Sequence, residues 1–141
     1  MTKKNTSTEV PLSINKQQKG LLRIWKAFLY SWDGLKITWK DEPAFRMEFI
    51  ALLVAIPVTF LLPILLLTKI LLISTVVWML VIELINSAVE ATVDLITEAH
   101  HPLAKKAKDT ASAAVFVSVV ISLIFWAIVL FSCFIFPLAE F

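Results

Sequence analysis

Apolar positions along this chain follow two rhythms. In residues 17–36, Leu21, Trp25, Phe28, Trp32 and Leu35 recur at steps of three and four, with Leu22 and Leu29 beside them and Lys19, Arg23, Lys26 and Asp33 elsewhere. That period predicts an amphipathic helix lying in the plane of a membrane interface, tryptophans on its apolar side and cations off it. Three later stretches, 44–67, 69–96 and 106–136, are predominantly apolar and long enough to span a bilayer, which takes about 20 residues; the second is apolar to Ile82 and then carries acids. Pro43 suits the first turn of the first span, and Pro57 and Pro63 are expected to bend it or end it early. Gly34 to Glu42 reads as a short polar connection, and Thr97 to Lys105 as the loop between the second and third spans. The expected fold is an all-α membrane protein, with one interfacial helix and three transmembrane helices in a single unit over 17–141. Residues 1–16, polar with one proline, read as a disordered tail.

Composition sharpens this. The 141 residues are 59% hydrophobic and 17% charged. Soluble domains carry about 45–50% apolar residues and about a quarter charged. The first twenty residues lack an apolar stretch, so no signal peptide is expected. Cys133, the one cysteine, sits in an apolar run and reads as filler. The net charge of +2 matters less than its placement. Nine of the thirteen Lys and Arg precede Ala51, Lys69 stands alone, and Lys105, Lys106 and Lys108 form the last group. The positive-inside rule then places the N-terminus in the cytoplasm, Lys69 in an outer turn, the second lysine group inside and the C-terminus outside. Small residues in the early third span (Ala107, Ala111, Ser112, Ala113, Ala114, Ser118) predict a face packed against other helices.

Chemistry enters at the second span. Glu83, Asn86, Glu90 and Asp94 are spaced by three, four and four. At 3.6 residues per turn they fall within an arc of roughly 80°. Ionisable residues in a membrane helix are costly, and their default reading is a functional site. Glu83 is expected roughly 20 Å from Lys69, toward the cytoplasmic side. Asp41, Glu42 and Glu48 on the first span and Lys108-Asp109 on the third are expected at the same level. Carboxylates from two helices at one level can share a hard cation such as Mg²⁺, and a lysine can offset phosphate charge. With only Gly20 and Gly34 available, neither a Walker A loop nor a kinase glycine-rich loop can be written. Any nucleotide must be held by carboxylates, metal and basic side chains.

The stretch from Glu83 through Asn86-Ser87-Ala88 to Glu90, followed by Val93-Asp94, resembles the signature of the prokaryotic diacylglycerol kinases. So do Ala107-Lys108-Asp109 with Ser112-Ala113-Ala114, Glu42 with Ala44-Phe45-Arg46 and Glu48, and Tyr30-Ser31-Trp32 with Gly34. The likeness covers roughly residues 20–130. Pro43, where the family often has alanine, and the longer N-terminal tail depart from the pattern. The resemblance implies Mg²⁺-dependent transfer of phosphate from ATP to diacylglycerol at the cytoplasmic membrane face, giving phosphatidic acid for phospholipid recycling. It implies a homotrimer with shared active sites, and no nucleic-acid partner. By analogy, Glu83 is the general base, and Glu42 and Glu90 hold the metal. Arg23, Tyr30, Asn86, Asp94, His101, Lys108 and Asp109 serve ATP. Ser31, Trp32, Ala44, Phe45, Glu48, Ser112 and Trp126 line the lipid side. Similar chains phosphorylate undecaprenol instead, and the identity of the lipid that accepts phosphate separates the two. A passive ion or proton pathway is the reading of another class; it consumes no ATP.

Overall fold

The computed structural model describes residues 20–97 and 99–135. The expected tail at 1–16 lies outside them, as do residues 17–19 of the expected surface helix and the end of the third span at Phe136. Among the described residues every regular element is a helix: α1 (Gly20–Asp41), α2 (Pro43–Leu61), α3 (Leu66–Ile96) and α4 (Pro102–Ile135). Contacts group the chain into two units, one ending at Gly34 and the other beginning at Leu35.

In the first unit, Leu21, Trp25, Phe28 and Trp32 are all exposed. Trp25 stacks on Phe28, with ring centroids 5.8 Å apart. The polar connection expected from Gly34 is helical instead, and α1 runs on to Asp41. Its stop comes from Pro43. Although Pro57 lies inside α2 without ending it, proline disfavours helical angles in the residue before it, and Glu42 sits extended at φ −106°, ψ 105°. Pro63 acts in the same way on Leu62 (φ −74°, ψ 137°), so α2 ends at Leu61, six residues before the expected Leu67. Lys69 is not a turn residue. It lies in the first turn of α3, and its Nζ donates to Phe60 O at 3.2 Å, closing the end of α2. Pro102 opens α4, four residues before the expected start. The loop before it therefore shrinks to residues 97–101.

In the second unit α3 packs against both α2 and α4. Phe45, Ala55, Leu72, Val76 and Leu80 are its buried apolar side chains, and Thr59 is fully buried with Oγ1 donating to Ala55 O at 2.7 Å. Ser122 of α4 donates to Thr75 of α3 at 3.0 Å, and Trp126 Nε1 donates to Leu72 O at 3.3 Å. This core is small. Most large apolar side chains of α2, α3 and α4 face outward. An aqueous protein rarely exposes such continuous apolar surface, whereas lipid tails are as apolar as leucine. Among the described residues three helices are long and apolar enough to cross a membrane, which makes this a multi-pass membrane protein. The 19 residues of α2 rise about 28 Å, close to the hydrocarbon thickness of about 30 Å. The 31 residues of α3 rise about 46 Å and must emerge from it.

Candidate functional site

Where α3 emerges, its acidic face meets α2. Counted from Leu66, Glu83 stands about 25 Å along α3 and Ser87 about 32 Å. Glu42 stands about 29 Å from the end of α2. The levels match, and Ser87 Oγ donates to Glu42 Oε1 at 3.3 Å across the two helices. Asn86 Nδ2 donates to Glu90 Oε1 at 3.0 Å, one helical turn further on. Glu83 is 3% exposed and lies within electrostatic reach of Glu42, Glu90 and Glu48. Glu48 is also buried. Four carboxylates and one amide thus converge, two from α2 and the rest from α3. Like charges so placed repel unless a cation or a proton joins them.

The donor atoms fit a hard divalent cation. They are all oxygens, and two buried ones, Glu48 Oε2 and Asn86 Oδ1, have no hydrogen-bond partner. Among the described residues no group of three or more His, Cys, Asp or Glu forms a metal cage. A small divalent ion delivered with phosphates needs only one or two protein carboxylates.

The other expected site residues fall into three groups. Asp94 does not join the carboxylates; it pairs with Lys108 of α4 at 2.5 Å, tying the ends of two helices. Asp109 pairs with Lys105, one turn earlier on α4. His101 Nδ1 accepts from Leu103 N at 3.2 Å, so this imidazole caps the start of α4. Of the lipid-side residues, Ala44 and Ser112 are exposed and Phe45 is buried. Trp126 lies elsewhere: its partner Leu72 is eleven residues before Glu83, about 16 Å along α3. Arg23, Tyr30, Ser31 and Trp32 are exposed on the first unit, where Ser31 Oγ donates to Ala27 O at 3.0 Å. An open groove of about 720 Å³ runs between α3 and α4, lined among others by Ser74, Thr75, Ser118 and Ser122; no carboxylate lines it.

Sequence reasoning passes over two residues that touch this arrangement. Ser87 lies within the motif, yet nothing in its spacing says that its hydroxyl reaches α2. Arg46 Nη1 donates to Trp39 O at 2.8 Å and to Lys40 O at 2.9 Å, at the end of α1. A basic residue just beyond a helix end is a known signal for capping of its last carbonyls.

The sequence has named relatives. The family model described as prokaryotic diacylglycerol kinase matches residues 29–130. A protein named diacylglycerol kinase from Escherichia coli (strain K12) is 44% identical over 115 residues, covering 82% of this chain and 94% of its own. One of the same name from Pseudomonas aeruginosa is 43% identical over the same shares. Another from Helicobacter pylori (strain J99) is 47% identical over 111 residues, covering 79% of this chain and 84% of its own. A matching model over most of the chain, and relatives matched over most of both lengths, have one meaning: the chain belongs to the prokaryotic diacylglycerol kinase family.

Proposed function

We propose that this protein phosphorylates diacylglycerol with ATP at the membrane surface, using the carboxylate group between α2 and α3. It is a lipid kinase. The observation that carries the reading is buried Glu83, flanked by Glu42 and Glu90 where α3 leaves the apolar slab. A carboxylate at that depth meets a lipid headgroup from one side and a soluble phosphate donor from the other. Glu83 takes the proton of the lipid hydroxyl as that oxygen attacks the γ-phosphorus of ATP, whose bond to the β-phosphate oxygen breaks so that ADP leaves. Glu42 and Glu90 hold Mg²⁺, which neutralises charge on the transferring phosphates when it is bound. Asn86 keeps Glu90 oriented through their 3.0 Å hydrogen bond. Lys108 and Asp109, with Arg23, Tyr30, Asp94 and His101, serve ATP, and Lys108 exchanges Asp94 for a phosphate oxygen. Exposed Ser31, Trp32, Ala44 and Ser112 meet the lipid substrate, with buried Phe45 and Glu48 behind them and Trp126 further along its chains.

The proposal extends to the assembly. Residues 17–141 act as one kinase domain, with residues 17–36 at the interface, the N-terminus in the cytoplasm and the C-terminus outside. Three copies form a homotrimer and share their sites. The small residues Ala113, Ala114 and Ser118 of α4, which line the open groove against α3, suit the close approach of a helix from another copy and support that arrangement.

Phosphate transfer from labelled ATP by the purified protein in bicelles, with Mg²⁺ and with diacylglycerol and undecaprenol side by side, tests the reading. Preferential labelling of diacylglycerol is expected. Labelling of undecaprenol would move the protein to cell-wall carrier metabolism, and labelling of neither would return it to non-enzymatic roles.

A further inference from the structure

A helix leaves its last carbonyls without intrahelical donors, and α1 has a particular shortage. The residue four beyond Trp39 is Pro43, which has no N–H to give. The residue four beyond Lys40 is Ala44, already in the next helix. One side chain makes good both losses: Arg46 Nη1 donates to Trp39 O at 2.8 Å and Lys40 O at 2.9 Å. The guanidinium therefore reaches back from the first turn of α2 and closes the elbow between the helices. Glu42 is the residue at the bend. Its backbone is fixed on one side by its own N–H to Thr38 O at 2.8 Å, and on the other by the Arg46 N–H to its carbonyl at 3.4 Å. Its carboxylate then points across to α3, where the Ser87 hydroxyl meets it.

We propose that Arg46 and Ser87 are positioning residues for Glu42: Arg46 locks the elbow that carries it, and Ser87 fixes its carboxylate toward Glu83. Neither touches substrate. Each acts through Glu42, so the inference rests on the reading of Glu42 as a metal ligand. Ser87 is suited to this because a hydroxyl donates one proton to one carboxylate oxygen and leaves the other free. Arg46 is suited because it stays charged and its Nη1, which carries two N–H donors for two neighbouring carbonyls, stands one bond further from the backbone than a lysine nitrogen.

The test reads metal binding directly. Mn²⁺ stands in for Mg²⁺, with a non-hydrolysable ATP analogue, and free Mn²⁺ is followed by electron paramagnetic resonance on the full chain in bicelles. Glu42→Gln is expected to weaken binding. Arg46→Ala and Ser87→Ala are each expected to weaken it about tenfold, the scale of one hydrogen bond to a charged group. Arg46→Lys should fall between Arg46→Ala and the parent. On a Glu42→Gln background neither alanine should weaken binding further, because their effect passes through that carboxylate. Parent-like Mn²⁺ binding by both Arg46→Ala and Ser87→Ala, with Glu42→Gln impaired, overturns the positioning roles and leaves the ligand role standing. Parent-like binding by Glu42→Gln overturns both. An equal loss from the alanines on the Glu42→Gln background would mean that they act on the fold alone, and also overturns the proposal. Ser87→Ala keeps the test decisive even where Arg46→Ala fails to fold.

Discussion

Glutamine has the size of glutamate but cannot take a proton from an alcohol. At position 83 it fills the same buried place on α3. Glu83→Gln is therefore expected to lower phosphate transfer by about 10²–10⁴-fold, the usual worth of a general base, with helical circular dichroism unchanged. Full activity in that variant would remove Glu83 from the role. Glu90 makes a different prediction. It accepts from Asn86 and faces Glu83, so Glu90→Ala should shift the magnesium titration of activity to higher concentration. An unchanged titration would exclude Glu90 as a ligand. The acidic face is legible in the sequence because its spacing keeps to one side of one helix. The Ser87–Glu42 and Arg46 contacts are not. They depend on how α2 lies against α3 and on the angle at Glu42, and no periodicity within a single helix encodes either.

At the scale of elements, prolines write most of the boundaries. Pro43 and Pro63 end helices through the residue before them, at Glu42 and Leu62. Pro102 starts one. Of these, the sequence pattern anticipates only the Pro63 break as an ending. The six polar or mixed residues after Leu35 interrupt the apolar rhythm of α1 and so resemble a connection, although Lys36 to Asp41 continue the helix. Hydrogen bonding continues a helix past the end of its apolar pattern until something removes a donor or an angle. Among the described residues the polar contacts between α3 and α4 are few: Ser122 to Thr75, Trp126 to Leu72 and the Asp94–Lys108 pair. Interhelical hydrogen bonds in membrane proteins average about 0.6 kcal/mol. Ser122→Ala should thus cost about 0.6 kcal/mol or less in unfolding by sodium dodecyl sulfate, with no change of fold. A loss of several kcal/mol would show that Ser122 carries more than this one bond.

For the whole molecule, an odd number of crossings puts the two ends on opposite sides of the bilayer. On the proposed orientation, with a cytoplasmic N-terminus, a protease added to inverted membrane vesicles should cut an N-terminal tag and spare a C-terminal one. Cleavage of both tags would contradict three crossings. The predicted homotrimer should show a protein mass of three chains by sedimentation in a mild detergent, after the detergent's share is removed. Single-chain mass with full activity would exclude shared sites.

The five apolar side chains buried among the described residues carry a consequence for how the protein's endurance is measured. Little of the apolar surface is covered by the chain's own atoms, so the folded state is held by whatever else occupies that surface. By mass action, anything that binds only the folded form raises its apparent melting temperature with its own concentration. A single melting temperature is then not a property of this polypeptide. It belongs to a mixture, and it will move when the same protein is diluted into more micelles, because each dilution changes the neighbours that complete it.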